Sequence, residues 1–159
     1  MRGSVYALRS MSLSRNELKW LSYAVDLAAE ANHKQWKVGA VLVHSGRVIS
    51  IGINKYRNDP SRVGYREVSY HAEEVALRRA GSAIGSTIYV ARLTRSGKIG
   101  MSRPCSRCQD LLVEHGISTV VWTEPFGWGK QRLNRLVHGE HANLTTATPA
   151  RTTHPLLGQ

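Results

Sequence analysis

His71-Ala72-Glu73 and Pro104-Cys105-Ser106-Arg107-Cys108 each open a helix-like segment after a loop, and their placement decides the fold. Cys105 and Cys108 are spaced i, i+3, so on a first helical turn both sulfurs face one way. A helix N-terminus also favours the thiolate, the form that binds metal. His71 brings a nitrogen donor from elsewhere in the chain. Glu73 stands two residues on, and i, i+2 positions diverge on a helix, which places it poorly as a second ligand beside His71. One imidazole and two thiolates leave a tetrahedral zinc with its fourth position open to water, as in catalytic rather than structural sites. A carboxylate near such a metal but not bound to it is suited to carrying protons. The expected cofactor is therefore Zn2+ on His71, Cys105 and Cys108, with Glu73 as the catalytic proton carrier.

Other readings of these residues are weaker. A disulfide between Cys105 and Cys108 would be awkward on one helix, and the chain has no further cysteine for a staple. A purely structural zinc takes four protein ligands. No third cysteine exists to complete that set, so another histidine would have to do so. A bare C-x-x-C says little and a bare H-x-E less. Their conjunction in this order carries the reading.

The length of 159 residues fits one domain, and 42% apolar residues suffice for an ordinary core. No apolar run is long enough to span a bilayer, so no membrane partner is expected. The first ten residues are polar and basic without an apolar centre, unlike a secretory signal. With two cysteines, this points to a reducing, cytoplasmic setting. Residues 1–12 are expected to form a flexible leader, residues 13–138 the domain, and residues 139–159 a flexible or edge-packing tail. A formal net charge of +11 favours phosphorylated or polyanionic partners, single-stranded nucleic acid among them.

Taken in order, Ser14-Arg15-Asn16-Glu17 reads as a capping box, and the apolar spacing after it predicts a helix over residues 14–32. Val38–Val43 and Arg47–Ile53 flank His44-Ser45-Gly46 as a hairpin. Asn54 closes that hairpin; its amide suits a sugar hydroxyl or a base edge, although spacing alone favours a turn residue. Residues 55–69 read as a loop in which Arg57, Arg62 and Arg66 alternate with Tyr56 and Tyr65, a composition that grips phosphate and stacks bases. Helix two follows from His71 and stops at Gly81, and Thr87–Ala91 is a third strand. Thr94–Arg103 is a basic loop, helix three runs to about His115, and Ser118–Thr123 is a fourth strand. Pro125–Gly129 reads as an aromatic loop and Lys130–His138 as a short basic helix. Asn143–Thr146 belongs to the tail and offers at most an edge strand. The order predicts an α/β sandwich, helices on both faces of a mixed sheet, with ligands at the helix starts on one side.

From Val38 to Thr123 the chain resembles the cytidine and deoxycytidylate deaminase superfamily. The resemblance rests on Gly39-Ala40-Val41, Gly52-Ile53-Asn54, His71-Ala72-Glu73 with Ala76-Leu77, Tyr89-Val90, Pro104-Cys105-Ser106-Arg107-Cys108, and Gly116-Ile117 before Val120-Val121. It implies a three-layer α-β-α sandwich with a roughly five-stranded mixed sheet, although the fifth strand is not obvious here. It implies zinc on His71, Cys105 and Cys108 with Glu73 shuttling protons. On the substrate side it implies Asn54 and the backbone at Ala72; Arg57, Ser102 and Pro104 are expected to join them. The activity implied is hydrolytic deamination of cytosine to uracil in a cytidine nucleotide of the dCMP type. Two alternatives stand: a deaminase of cytosine or adenine in single-stranded DNA or RNA, and a non-catalytic zinc-stabilised nucleic-acid-binding module. The carboxylate of Glu73 argues against the last, since a structural site has no need of it. Oligomers are common in the superfamily, so a homo-oligomer is consistent with it.

Overall fold

A computed structural model describes residues 13–56 and 69–133. Helix α1 spans Arg15–Glu30 and begins with a complete capping box. Ser14 Oγ accepts from the Glu17 amide at 3.1 Å, and Glu17 Oε1 accepts from the Ser14 amide at 2.8 Å. Two orphan donors of the first turn are thereby satisfied.

The hairpin forms as read, with β1 at Lys37–His44 and β2 at Arg47–Ile53. Two short strands, β3 (Lys55–Tyr56) and β4 (Ser69–Tyr70), pair with each other and lead into helix α2, Ala72–Ala80. Then come β5 (Thr87–Leu93), β6 (Ile99–Gly100), helix α3 (Ser106–Glu114), β7 (Thr119–Glu124) and β8 (Gly127–Arg132). The main sheet runs β2-β1-β5-β7-β8, with β6 paired only to β5. The β5–β7 pair is parallel and the others are antiparallel, so the sheet is mixed.

Alternation along the central strands builds two cores. Val41, Val43, Tyr89, Ala91 and Val121 face Leu21, Ala24 and Leu27 of α1. Ala40, Leu42, Ile88, Val90, Val120 and Trp122 face Ala72, Ala76 and Leu77 of α2 and Leu112 of α3. The sheet is thus covered on both faces, as the buried pattern of β1 required. Two glycines set how closely the helices approach. A Cβ on Gly39 would strike the Ala24 carbonyl and lie 2.6 Å from the Ala28 amide, and one on Gly52 would strike the Ala72 carbonyl and lie 2.6 Å from the Ala76 amide. Gly52 therefore seats the first turn of α2 directly on β2.

Three sequence expectations are corrected here. Gly127, Trp128 and Gly129 are not loop residues, and Lys130–Arg132 is not helical; together they form β8, the fifth strand. Weak β propensity hid it, because a strand interior disfavours glycine. The glycine has a packing reason: a Cβ on Gly129 would strike the Trp122 indole. The basic loop before Cys105 likewise turns back, with β6 pairing Gly100 to Arg92 and Ile99 to Leu93. The ends of the expected Arg/Tyr loop, Lys55-Tyr56 and Ser69, are strand rather than loop because they pair as β3 and β4. The leader, residues 57–68 with Arg57, residues 134–138 of the expected basic helix, and the tail with Asn143–Thr146 lie outside the described residues.

The new strand is tied to α1 by an ion pair, Lys130 Nζ to Glu17 Oε2 at 2.7 Å. Burial alone would raise the Glu17 carboxyl, but the Lys130 ammonium and the Ser14 contacts overcome it and hold the group below 4.5. A carboxyl lowered on folding stabilises above its unfolded value and loses that contribution as pH falls through the folded one. Glu17→Gln keeps the capping geometry but removes the charge. We expect it to cost about 0.5–1 kcal/mol at pH 7 in urea unfolding, with the difference shrinking as pH falls through the lowered folded value of the carboxyl.

Candidate active site

The metal-binding residues stand at two helix starts. His71 is the N-cap of α2 and Cys105 the N-cap of α3, both with extended backbone and neither spending its side chain on a cap bond. Cys108 lies in the first turn of α3 and is 1% exposed. Their ligand atoms all fall within 4.8 Å of one another. His71 Nδ1 is 3.2 Å from Cys108 Sγ and 3.9 Å from Cys105 Sγ. A tetrahedral zinc with its usual bond lengths holds a nitrogen and a sulfur about 3.6 Å apart. The two distances bracket that figure, so the donor set fits the ion.

The electrostatics agree. Cys105 is held down to about 3 by hydrogen bonds from Cys108 and from His71. Cys108 is pushed up, chiefly by the Cys105 sulfur and then by burial. Two sulfurs this close share a proton unless a cation lies between them, and a bound metal ion deprotonates a coordinating thiol outright. His71 is raised first by its bond to Cys105.

Glu73 is 5% exposed, and burial pushes its carboxyl upward. It belongs to α2 but not to the metal-sized cluster, which is His71, Cys105 and Cys108 among the described residues. The His71 ring and the Cys108 sulfur both act on its carboxyl, which puts it beside the donor set. Ala72 is fully buried at the first turn of the same helix.

The other expected residues gather at the same end of the sheet but with their polar groups engaged. Asn54 is 5% exposed; its Oδ1 accepts from the Val38 amide at 2.9 Å and its Nδ2 donates to the Trp36 carbonyl at 2.5 Å. It fixes the entry to β1. Ser102 Oγ donates to the Val90 carbonyl at 2.7 Å and accepts from the Thr123 amide at 2.9 Å, which pins the approach to Cys105 between β5 and β7. Pro104 is fully buried, and its carbonyl accepts from Gln109 Nε2 at 2.8 Å.

One pair escaped the sequence. Glu74, 8% exposed on α2, accepts from Arg107 Nη2 at 3.1 Å. Arg107 sits between the two cysteines, so this pair clasps the half of the site on α2 to the half on α3. No local pattern announces a partner 33 residues away. Arg107 is partly exposed, so the pair orients the start of α3 more than it stabilises the fold. Glu74→Gln should accelerate zinc loss to a chelator by about tenfold, read by a colorimetric zinc indicator, with activity kept at saturating zinc.

A family model described as "Cytidine and deoxycytidylate deaminase zinc-binding region" matches residues 14–124. Among solved structures, cytidine deaminase from Burkholderia pseudomallei superposes with a TM-score of 0.56 at 22% identity, covering 76% of this chain and 93% of that one. The dCMP deaminase of cyanophage S-TIM5, in complex with dCMP and dUMP, gives 0.53 at 20% identity, covering 68% and 81%. These likenesses establish the fold. A chloroplastic tRNA(adenine(34)) deaminase of Arabidopsis thaliana is 31% identical over 88 residues, which is 55% of this chain but 6% of that much longer protein.

Proposed function

This chain belongs to the cytidine and deoxycytidylate deaminase family and is a zinc-dependent deaminase of a nucleobase-containing substrate, and from that premise we propose that it converts cytosine to uracil in a phosphorylated cytidine, with dCMP as the type substrate. The observation that carries the chemistry is a buried carboxylate, Glu73, beside a donor set of three. When bound to His71, Cys105 and Cys108, zinc supplies a Lewis acid that lowers the pKa of water to roughly 7.

The chain's own residues do the rest. Glu73 takes the proton that water gives up as its oxygen bonds to C4. It delivers that proton to ring N3, then moves the remaining proton of the new C4 hydroxyl to the amine as the C4–N bond breaks, so water and cytosine leave as uracil and ammonia. A carboxyl pushed upward by burial can hold a proton closer to neutrality, as this cycle requires. Asn54 and the backbone at Ala72 orient the sugar and base in this reading, with Ser102 and Pro104 shaping the wall and Arg57 added as a phosphate contact. The net charge of +11 favours a phosphorylated substrate over a free nucleoside.

A second reading, deamination of adenine within RNA, draws on the likeness to the tRNA(adenine(34)) deaminase. One assay separates them. The zinc-loaded protein is incubated with dCMP, CMP, cytidine, a cytosine-containing single strand and an adenosine-containing RNA, with ammonia, uracil and inosine followed. Turnover of dCMP above cytidine supports the first reading. Inosine formation without uracil replaces it with the second.

A further inference from the structure

One end of the sheet collects Arg92, the start of β1, the end of β2 and the starts of both metal-bearing helices. Register fixes this. Val38 stands opposite Arg92 and Ala40 opposite Val90, so Arg92 projects from the face that carries α2 and α3. Val90, two residues earlier on that face, receives Ser102 three residues before Cys105. Asn54, next to Val38, ties down Trp36 just before β1.

Trp36 and Arg92 make a built pair at this end. Trp36 is 48% exposed, a large apolar surface to leave in water. Its position is nonetheless set: its carbonyl accepts from Asn54, and its amide donates to His33 Nδ1 at 3.1 Å. The Arg92 guanidinium lies over the indole, 4.0 Å from the ring centroid. Arg92 reaches it past Gly100, where an added Cβ would lie 3.6 Å from Arg92 Cδ and Nε. Arg92 Nε is buried with no hydrogen-bond partner among the described residues, and no carboxylate there pairs with its charge. A half-buried cation without an acceptor is costly until an anion supplies one. Stacking on an aromatic face leaves the edge of a guanidinium free, and that planar fork matches a phosphate with two parallel bonds.

We infer that Arg92, shelved on Trp36, binds the phosphate group of the substrate at the mouth of the metal site. This rests on the deaminase reading but not on which base is deaminated. It assigns selection for a phosphorylated substrate to two residues outside the zinc set and outside the Arg/Tyr loop.

The test uses products, so binding is read without turnover. Affinities of the zinc-loaded protein are measured by calorimetry for dUMP against deoxyuridine, IMP against inosine, and a short single strand carrying one deoxyuridine. The wild type should bind the phosphorylated member of a pair at least roughly tenfold more tightly. Arg92→Met should erase that preference while leaving the nucleoside affinity alone, and Arg92→Lys should restore only part of it. Trp36→Leu should weaken the same preference. Near-ultraviolet circular dichroism and zinc content confirm that the variants are folded.

An Arg92→Met protein that keeps the wild-type preference overturns the proposal. So does a wild type with no preference for phosphate in either pair. A preference shown only in the IMP pair sinks the cytosine reading and leaves Arg92 to be judged on that pair. If Arg92→Met weakens the strand but not the mononucleotides, the proposed mononucleotide phosphate site is overturned and Arg92 serves a polynucleotide phosphate instead.

Discussion

Glu73→Ala protein is expected to keep its zinc and lose its turnover. The substitution removes no ligand atom, so zinc content measured by plasma emission should equal that of the wild type. The rate at saturating substrate should fall by about 10²–10⁴-fold, the usual contribution of a positioned acid–base group. The loss should appear in kcat rather than in KM, because proton transfer to N3 and to the leaving amine belongs to the transition state. The Gln variant, nearly the same size, should be as inactive; that separates the loss of a proton carrier from the loss of packing around a side chain 5% exposed. A Gln variant with near wild-type kcat would remove Glu73 from the mechanism.

Cys108→Ala protein should lose the metal itself. Cys108 is the most buried of the three donors, and its sulfur lies 3.2 Å from His71 Nδ1. Without it two ligands remain on two different helices, too few for a zinc site of either kind. Zinc content and deamination should both fall to background. Stability should follow by linkage, since a metal that binds only the folded chain stabilises it. A chelator should therefore lower the melting temperature of the wild type and leave that of Cys108→Ala unmoved. A variant that still melts lower with chelator would point to a metal held elsewhere.

The parts legible in the sequence were those governed by short-range chemistry. His71, Cys105 and Cys108 declare themselves because helix starts and i, i+3 spacing are local, and the structure brings their donor atoms together. The capping box at Ser14 and the hairpin through Gly46 were readable for the same reason. What stayed hidden depends on distant partners. β8 is a strand because β7 offers it a ladder and Trp122 needs the space over Gly129, and neither fact is written into Gly127–Arg132. Asn54 reads as a turn residue by spacing, yet its amide bridges Trp36 and Val38. Trp36 gave only a faint signal, one large aromatic in a polar loop just before an apolar strand. Arg92 stood just past the run read as strand, which the structure extends to Leu93, and only the register shows that it faces the metal side.

The central claim is one zinc held by one nitrogen and two sulfurs, with a lighter fourth ligand. X-ray absorption at the zinc edge of the protein as purified reads that set directly. The account predicts two sulfur scatterers at about 2.3 Å and two nitrogen or oxygen scatterers at about 2.0–2.1 Å, with one sulfur shell lost when Cys105 is replaced by aspartate. A shell of four sulfurs, a shell with no sulfur, or protein carrying no zinc would contradict it.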